Sequence, residues 1–337
     1  MAAIVATRPT ATGPAIEAAG LTKDYGGNRG IFGLDLAVSA GEVFGFLGPN
    51  GAGKSTTIRL LMGMIRPTGG AARVFGLDCW REAVAVKRRV GYVPGELPDW
   101  GGLRGDEVVA TLAGLRGGVE AGHVQDLCAR LGLDLGRRWR EYSRGNKQKL
   151  ALVAALMHRP DLLILDEPTS GLDPLNQQTF YALVREARER GASVFLSSHI
   201  LSEVEHVCDR VGIVRGGRLV AVAGLGELRG LRAYRVEIEF AGQGNAPPAD
   251  AVRAAAGVDR VEVAGQRLAC TVRGSFEPLL RALAGHPVLA LTSREPTLEE
   301  QFLSYYGGEE GDAALADVGA VDGVAVGSGA GSRAGTR

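Results

Sequence analysis

The sequence predicts an α/β fold with a mainly parallel sheet, followed by a small C-terminal α+β domain. Short, wholly apolar runs such as residues 162–165 alternate with segments whose apolar residues recur at helical spacing. A continuous apolar strand is typical of a parallel sheet that is covered on both faces. From residue 234 to 240, apolar and charged residues instead alternate, which is the period of a half-buried antiparallel strand. We therefore expect two folded units with a boundary near Gly230.

Composition narrows the class of protein. The 337 residues include 38 basic and 38 acidic side chains, whereas a dedicated nucleic-acid-binding protein usually has a clear basic excess. The four cysteines, Cys79, Cys128, Cys208 and Cys270, are far apart and irregularly spaced, which predicts neither disulfides nor a zinc site. No run approaches the roughly 18 apolar residues of a membrane-spanning helix, and no secretory signal is visible. We expect a soluble, cytoplasmic protein.

The first unit is expected over residues 15–229, after a disordered lead at 1–14 that is rich in small residues. A polar turn is expected at 22–27, and Pro67 with Gly69-Gly70 is expected to end the helix that follows residue 53. Strands are expected at 16–21, 31–38, 42–47, 73–76, 90–94, 162–165, 192–196 and 211–214. Helices are expected at 58–62, 81–89, 106–112, 124–131, 150–157, 177–190 and 203–208. Strand signals vanish from 97 to 136, which predicts an inserted helical subdomain over about 97–158.

The second unit is expected over residues 230–306. Its predicted strands are 234–240, 261–263, 268–272 and 288–291, and its predicted helix is 276–283. Thr297 with Glu300 three residues later forms a capping box that opens a last helix. Residues 307–337 are mostly Gly, Ala, Ser and Asp, too poor in bulky apolar residues to fold, so we expect a disordered tail.

The strongest motif is GPNGAGKST, which lies between a predicted strand and a predicted helix, as a phosphate-binding loop requires. Its residues are Gly48, Pro49, Asn50, Gly51, Ala52, Gly53, Lys54, Ser55 and Thr56. The glycines allow backbone N–H groups to turn inward as an anion site. Lys54 is predicted to reach the β- and γ-phosphates of a nucleotide, and the Ser55 hydroxyl to contact Mg²⁺. An ordinary glycine turn would not account for Lys54-Ser55 at this spacing.

A pair of carboxylates, Asp166 and Glu167, follows the apolar run at 162–165. Asp166 can accept hydrogen bonds from Mg²⁺-bound water, and Glu167 can polarise an attacking water. Phosphoryl transfer is catalysed mainly by positioning and charge stabilisation, so these are the groups it needs. The alternative is a solvated pair at a strand end, and the apolar strand and the upstream loop both weigh against it.

With three further motifs, the chain resembles the ATP-binding subunits of ABC transporters over about residues 16–225. The Walker A motif is GPNGAGKST and the Walker B motif is LLILDEP. The signature region is YSRGNKQKL from Tyr142, the D-loop is SGLD at 170–173, and the switch histidine is His199. The resemblance implies a P-loop NTPase fold, namely an ABC-type nucleotide-binding domain with an inserted helical subdomain. Its ligands would be ATP and Mg²⁺.

The resemblance also implies roles for single residues. Tyr25 would stack on adenine and His199 would contact the γ-phosphate, although alone these would be read as a surface aromatic and a structural histidine. Ser143 and Gly145 would cap the γ-phosphate of an ATP that a second subunit holds, at a helix amino terminus. Asp173 of the D-loop would belong to the same nucleotide-binding set.

The chain departs from the family pattern at two places. The common signature LSGGQ has glycine where this chain has Arg144 and glutamine where it has Asn146, so the backbone is less free at Arg144. The family also has a glutamine after the strand at 90–94, at a loop where this chain has Gly95-Glu96. Either Glu96 substitutes as an oxygen ligand of the metal or the contact is lost, and the preference of hard cations for carboxylates favours substitution.

The resemblance implies a dimeric ATPase that closes on ATP and powers a membrane exporter. The partners would be a second nucleotide-binding subunit, in the simplest case another copy of the chain, and a multi-spanning permease on a separate polypeptide. The permease would dock on the helical region 97–158 and hold the protein at the inner face of the cell membrane. Residues 294–302 resemble a C-terminal element of drug- and antibiotic-export ATPases.

Two other functions stay open at this point. A soluble ATPase of the same family could act on ribosomes or nucleic acid, but that class usually has two cassettes or long coiled-coil insertions, and neither occurs here. A regulator could bind nucleotide without hydrolysing it. Glu167 disfavours the regulator, whereas Gly95 and Arg144 keep it open.

Overall fold

The computed structural model describes residues 13–224, 233–241 and 247–294. Within them lie three β-sheets, of four, six and four strands. Four predictions fall wholly or partly outside these ranges: residues 1–12 of the predicted lead at 1–14, the boundary near Gly230, the capping box at Thr297 and the tail at 307–337.

The six-stranded sheet carries the site, with strand order β10-β9-β3-β8-β7-β6. Its strands are β3 (Val43–Leu47), β6 (Val90–Val93), β7 (Leu162–Asp166), β8 (Ser193–Ser198), β9 (Arg210–Arg215) and β10 (Arg218–Gly224). All pairs are parallel except β9–β10, and every residue of β3, β7 and β8 is buried, which confirms the predicted parallel sheet. The loops after β3, β7 and β8 therefore meet at one edge of the sheet.

This sheet has a hydrophobic core on each face. Leu163 and Leu165 of β7 belong to one core, which includes the helices of the region 105–156. Leu162 and Ile164 belong to the other, which is shared with the second sheet. Alternate side chains of one strand thus enter opposite cores, which requires apolar residues on both faces over 162–165, and the polar Asp166 comes only at the strand end.

The second sheet is antiparallel, with order β2-β1-β4-β5. Its strands are β1 (Ile16–Asp24), β2 (Gly30–Val38), β4 (Gly69–Val74) and β5 (Leu77–Asp78). Two expectations were wrong here: β1 continues through the expected turn to Asp24, and Gly69-Gly70 begins a strand. Gly70 has φ 66° and packs on the Gly20 backbone too closely for a Cβ, so the glycine allows β4 to pair closely with β1 at a register shift and does not mark a helix end.

The α-helices between residues 13 and 224 are α1 (Lys54–Leu61), α2 (Ala83–Arg89), α3 (Gly105–Gly114), α4 (Ala121–Leu131), α5 (Arg144–Leu156), α6 (Pro174–Glu189) and α7 (Leu201–Glu205). A 3-10 turn at Trp139–Glu141 precedes α5. Helix α5 begins six residues before the predicted start, because the Ser143 side chain caps it by accepting from the Asn146 N–H at 3.3 Å. Among the described residues, no helix has the length and apolar character that crossing a membrane requires.

The third sheet has the order β12-β13-β11-β14, with every pair antiparallel. Its elements are β11 (Ala233–Phe240), α8 (Ala249–Arg253), β12 (Val258–Ala264), β13 (Arg267–Arg273), α9 (Glu277–Leu283) and β14 (Val288–Arg294). This βαββαβ arrangement is the ferredoxin-like one. Val236, Ile238 and Phe240 of β11 are buried in its own core, as their alternation with charged residues predicts. Helix α8 was not predicted, since five residues are too few to show a period.

Candidate functional site

The phosphate-binding loop occupies residues 48–53 between β3 and α1. Gly53 has φ 109°, a conformation that favours glycine, and α1 begins directly after it at Lys54. The Lys54 side chain is only 5% exposed, and its Nζ donates to the carbonyl oxygens of Gly48 (2.6 Å) and Pro49 (3.1 Å). Burial lowers the pKa of Lys54, against the opposing charges of Glu167 and Asp166. The buried Lys54 cation and the amino terminus of α1 therefore lie together, and both attract an anion such as phosphate.

Glu167 lies between this lysine and the histidine after β8. Its Oε1 is 3.5 Å from Lys54 Nζ and 3.3 Å from His199 Nδ1. The Glu167 backbone has φ 48°, in the left-handed region, and its N–H is 3.2 Å from both Ser197 O and Ser197 Oγ. Such a conformation costs about 1–3 kcal/mol and persists only where its surroundings hold it, most often at functional sites. The structure therefore brings the three predicted catalytic residues, Lys54, Glu167 and His199, into contact.

Asp166 is buried at the end of β7, with 3% of its surface exposed. Its Oδ1 accepts from Ser197 Oγ at 2.5 Å, and its Oδ2 faces Gly95, where an added Cβ would lie only 2.8 Å away. Burial, with the Asp166 charge as a second cause, raises the pKa of Tyr92 to about 12. The departure at Gly95 thus has a steric role, because a side chain there would displace the carboxylate.

The oxygen donors at this point suit a magnesium ion. Ser55 and Asp166 line one cavity of about 590 Å³, and hydroxyl and carboxylate oxygens are ligands that Mg²⁺ accepts. The described residues contain no group of three or more His, Cys, Asp or Glu that could hold a metal by itself. A cation here would take its other ligands from phosphate and water, as Mg²⁺ usually does. Glu96 lies exposed in the loop that lines the same cavity, and its role as a ligand stays a prediction.

The signature residues lie at the amino terminus of α5, as the resemblance implies. Ser143 is the capping residue, and a Cβ on Gly145 would lie 2.7 Å from the Gly171 carbonyl oxygen, so α5 packs directly on the D-loop backbone. Asp173 caps α6 by accepting from the Asn176 N–H at 2.9 Å, and this hydrogen bond lowers the pKa of Asp173. Ser143 and Gly145 thus lie at the start of α5, and Asp173 lies at the start of α6. Their contacts with nucleotide stay predictions.

Tyr25 lies at the tip of the β1–β2 hairpin, and 48% of its surface is exposed. Its N–H donates to the Arg29 carbonyl oxygen at 2.9 Å, and Lys23 Nζ lies 5.4 Å from its ring centroid. The same hairpin approaches the phosphate-binding loop, since a Cβ on Gly53 would lie 3.4 Å from the Gly30 carbonyl oxygen. The start of β2 therefore lies beside the loop, the Tyr25 ring is open to solvent at the tip of the same hairpin, and its stacking on adenine stays a prediction.

Sequence reasoning missed the side chains that support this site. Glu203 accepts hydrogen bonds from Thr169 Oγ1 and Ser198 Oγ, each at 2.6 Å, and so links the segment after β7 to the end of β8. Ser197 contacts both Asp166 and Glu167, as described above. The available signal was the pair of serines that ends an apolar strand just before His199, a place where buried hydroxyl groups need partners.

Comparisons with known proteins agree with this geometry. The family model described as ABC transporter matches residues 31–170. The chain is 42% identical over 229 residues to the daunorubicin/doxorubicin resistance ATP-binding protein DrrA of Streptomyces peucetius. The aligned region covers 66% of this chain and 68% of that protein. The chain is 35% identical over 298 residues to a fluoroquinolones export ATP-binding protein of Mycobacterium tuberculosis, over 87% of this chain and 93% of that protein.

A solved structure described as the ATP-binding subunit of an ABC transporter is 30% identical, with a TM-score of 0.59, and the match covers 64% of this chain and 92% of that one. Nothing in these similarities supports the alternative of an ATPase that acts on ribosomes or nucleic acid. The chain belongs to the ABC transporter family, as an ATP-binding subunit of the exporter type that hydrolyses ATP.

Proposed function

We propose that two copies of the chain close on two ATP molecules and thereby drive an exporter whose permease is a separate polypeptide. Each ATP would lie between residues 48–56 of one copy and Ser143 and Gly145 of the other. The observation that carries this proposal is the contact of Glu167 with both Lys54 and His199 at the end of the phosphate-binding loop. Glu167 Oε1 thus lies within 3.5 Å of both the Lys54 ammonium group and the His199 imidazole.

The chemistry follows from these side chains. A water oxygen attacks the γ-phosphorus, the bond from that phosphorus to the β–γ bridging oxygen breaks, and ADP leaves with the bonding electrons. Glu167 orients the water and accepts its proton, while Lys54 and His199 stabilise charge on the phosphate oxygens. Lys54 is suited to this task because its burial removes competing water and strengthens its attraction for phosphate.

Mg²⁺ would be held by Ser55 and by Asp166, directly or through water, and would neutralise phosphate charge. Ser197 donates to Asp166 Oδ1 and so orients the carboxylate that would hold the metal. Ser197 also receives the N–H of Glu167, so one serine positions both carboxylates.

The other half of the site is the start of α5. Its first turn contains no acidic residue, so no side-chain carboxylate there competes with an anion for the positive end of the helix dipole. Ser143 and the free N–H groups of this turn are thus suited to the γ-phosphate of an ATP bound by the second copy. Asp173, at the start of α6, would lie at the same interface.

The permease would dock at the part of the 590 Å³ cavity that Met64, the 95–100 loop, α3 and α5 line, and the Ser55 and Asp166 part would remain for the metal. Met64, which is 45% exposed, and Trp100 give this cavity an apolar entrance, and Arg116 and Lys87 add positive charge. A short amphipathic cytoplasmic helix with an acidic residue is the partner that fits. Docking there would hold the chain at the inner face of the membrane. The cargo would be an organic antimicrobial, as the names of both relatives suggest, and the permease would hold it.

The test is capture of the permease by the tagged chain from detergent-solubilised membranes, with Met64→Glu and Leu115→Glu compared. Leu115 is 81% exposed and lies outside the cavity, so it is the matched control. We expect one multi-spanning membrane protein with the parent and with Leu115→Glu, and at least tenfold less with Met64→Glu. Recovery of ribosomes or DNA instead, or equal capture by both variants, would contradict the proposal.

A further inference from the structure

The start of α5 and the D-loop of the same chain form one packed unit. The backbones meet at Gly145 and Gly171, where a Cβ on Gly145 would approach the Gly171 carbonyl oxygen to 2.7 Å. One turn later, the buried Gln148 donates from Nε2 to the Pro168 carbonyl oxygen at 2.9 Å. Pro168 follows Glu167 directly in the sequence, so this face of α5 positions the segment just after the proposed catalytic residue.

Arg144 makes a third contact, which a glycine at this position could not make. Its Nη2 donates to Ser170 Oγ at 2.8 Å. Its aliphatic stem covers Gly171, since a Cβ on Gly171 would lie 3.2 Å from Arg144 Cγ and 3.4 Å from Arg144 Cδ. Gly171 has φ 79° and no side chain to restrict its backbone, so Arg144 supports the D-loop at its most flexible residue type.

Two roles for Arg144 are chemically distinct. Its guanidinium could contact a phosphate of the nucleotide as a free cation, which would make Ser170 irrelevant. Alternatively it acts through Ser170 and holds the D-loop. The hydrogen bond, the stem packing and the neighbouring contacts of Gly145 and Gln148 all point to the D-loop of the same chain, which favours the second role.

We propose that Arg144 is a positioning residue, which joins the signature turn to the D-loop through Ser170 so that both present one preformed surface to the second copy. This inference rests on the proposed function, since it concerns the same ATP-bound dimer. Preformed surfaces bind more tightly because less freedom is lost on association. Arg144 should thus affect dimer closure and turnover, and leave ATP binding by the single subunit unchanged.

The experiment is a double-mutant cycle of Arg144→Ala and Ser170→Ala in a Glu167→Gln parent, with the ATP-dependent dimer constant measured by sedimentation. One exposed hydrogen bond with a charged donor predicts that each single variant weakens the dimer about 3- to 10-fold. The double variant should weaken it no further than either single one. Arg140→Ala is the control, because Arg140 is exposed, lies four residues earlier and makes no side-chain hydrogen bond or ion pair within the described ranges.

Two further readouts separate positioning from a general loss of structure. With Glu167 intact, Arg144→Ala and Ser170→Ala should lower kcat by a similar factor at unchanged KM for ATP. Arg144→Lys, which keeps a long donor, should restore most of the loss, but only while Ser170 is present.

A loss in Arg144→Ala that Ser170→Ala does not share would overturn the inference in favour of a cation on the phosphate. An unchanged dimer constant in both single variants would overturn it as well. A Glu167→Gln parent that stays monomeric with ATP would contradict the proposed function itself, and the inference would fall with it.

Discussion

Glu167 Oε1 lies 3.3 Å from His199 Nδ1, although the two residues come from the ends of different strands. Parallel pairing of β7 and β8, with Asp166 opposite Ser197, sets this distance. The same oxygen lies 3.5 Å from the Nζ of Lys54, which is the first residue of α1. The phosphate-binding loop joins α1 to β3, the other neighbour of β8. Three adjacent strands thus each deliver one reactive group to one edge of the sheet.

Replacing Lys54 should abolish nucleotide binding. In Lys54→Ala the phosphates lose their buried cationic partner, and Asp166 and Glu167 are left to repel the nucleotide. We expect at least a 100-fold loss of ATP affinity, measured with a fluorescent ATP analogue, with the thermal midpoint of unfolding little changed. Unaltered affinity would remove the phosphate-binding role of residues 48–56.

Replacing Ser197 should impair turnover more than binding. Ser197→Ala removes the donor to Asp166 Oδ1 and one acceptor of the Glu167 N–H, so both carboxylates lose their orientation. We expect kcat to fall about 10- to 100-fold and the apparent affinity for Mg²⁺ to fall with it.

Ser193→Ala is the control for this variant. Ser193 is a buried serine on the same strand, but it accepts from Gly41 N–H at 2.9 Å, before the start of β3. Equal effects of the two substitutions on kcat would show that Ser197 acts only through stability.

A side chain at Gly95 should disturb Asp166. In Gly95→Ala the new Cβ would lie 2.8 Å from Asp166 Oδ2, so the carboxylate or the loop must move. We expect a rise in the Mg²⁺ concentration that gives half-maximal ATPase activity, by about threefold or more. Gly114→Ala is the matched control because nothing lies within 4 Å of a Cβ there. A Mg²⁺ dependence equal to that of the parent would place the metal away from Asp166 Oδ2.

An ion pair should stabilise the helical region. Arg130 of α4 donates to both oxygens of Glu186 of α6, at 2.8 and 2.6 Å, and both side chains keep some exposure to water. Paired donation is the strongest form of such contacts, and solvent screening limits its value. We expect Arg130→Ala to lower the free energy of unfolding by about 1 kcal/mol. In a double-mutant cycle with Glu186→Ala, strict additivity would show that the pair contributes nothing.

Much of the fold was predictable because its signals are local. The wholly apolar run at 162–165 indicated a covered parallel strand, and the alternation at 234–240 indicated a half-buried antiparallel strand; both were confirmed. Helix α5 was predicted too short because its first turn is polar, and only the Ser143 cap shows where it begins. The Gly69-Gly70 pair was wrongly predicted to end a helix, because glycine is equally common where two paired strands approach closely.

The site divides in the same way. Lys54, Glu167 and His199 could be named from motif order, and the structure brings them together. The partners Ser197, Gln148 and Glu203 could not, because Ser197 and Asp166 are 31 residues apart and no local period encodes their pairing. The Arg144–Ser170 contact was also missed, although Arg144 was singled out as a departure, since its partner lies 26 residues further along the chain.

The central claim is that Glu167 drives hydrolysis in an ATP-closed dimer. Its most direct measurement compares Glu167→Gln with the parent for phosphate release and for molar mass in solution with ATP and Mg²⁺. Glutamine keeps the size of the side chain but cannot accept the proton, so we expect turnover to fall at least 100-fold and a stable ATP-bound dimer to form. Equal phosphate release by the two proteins, or a variant that stays monomeric with ATP bound, would contradict the account.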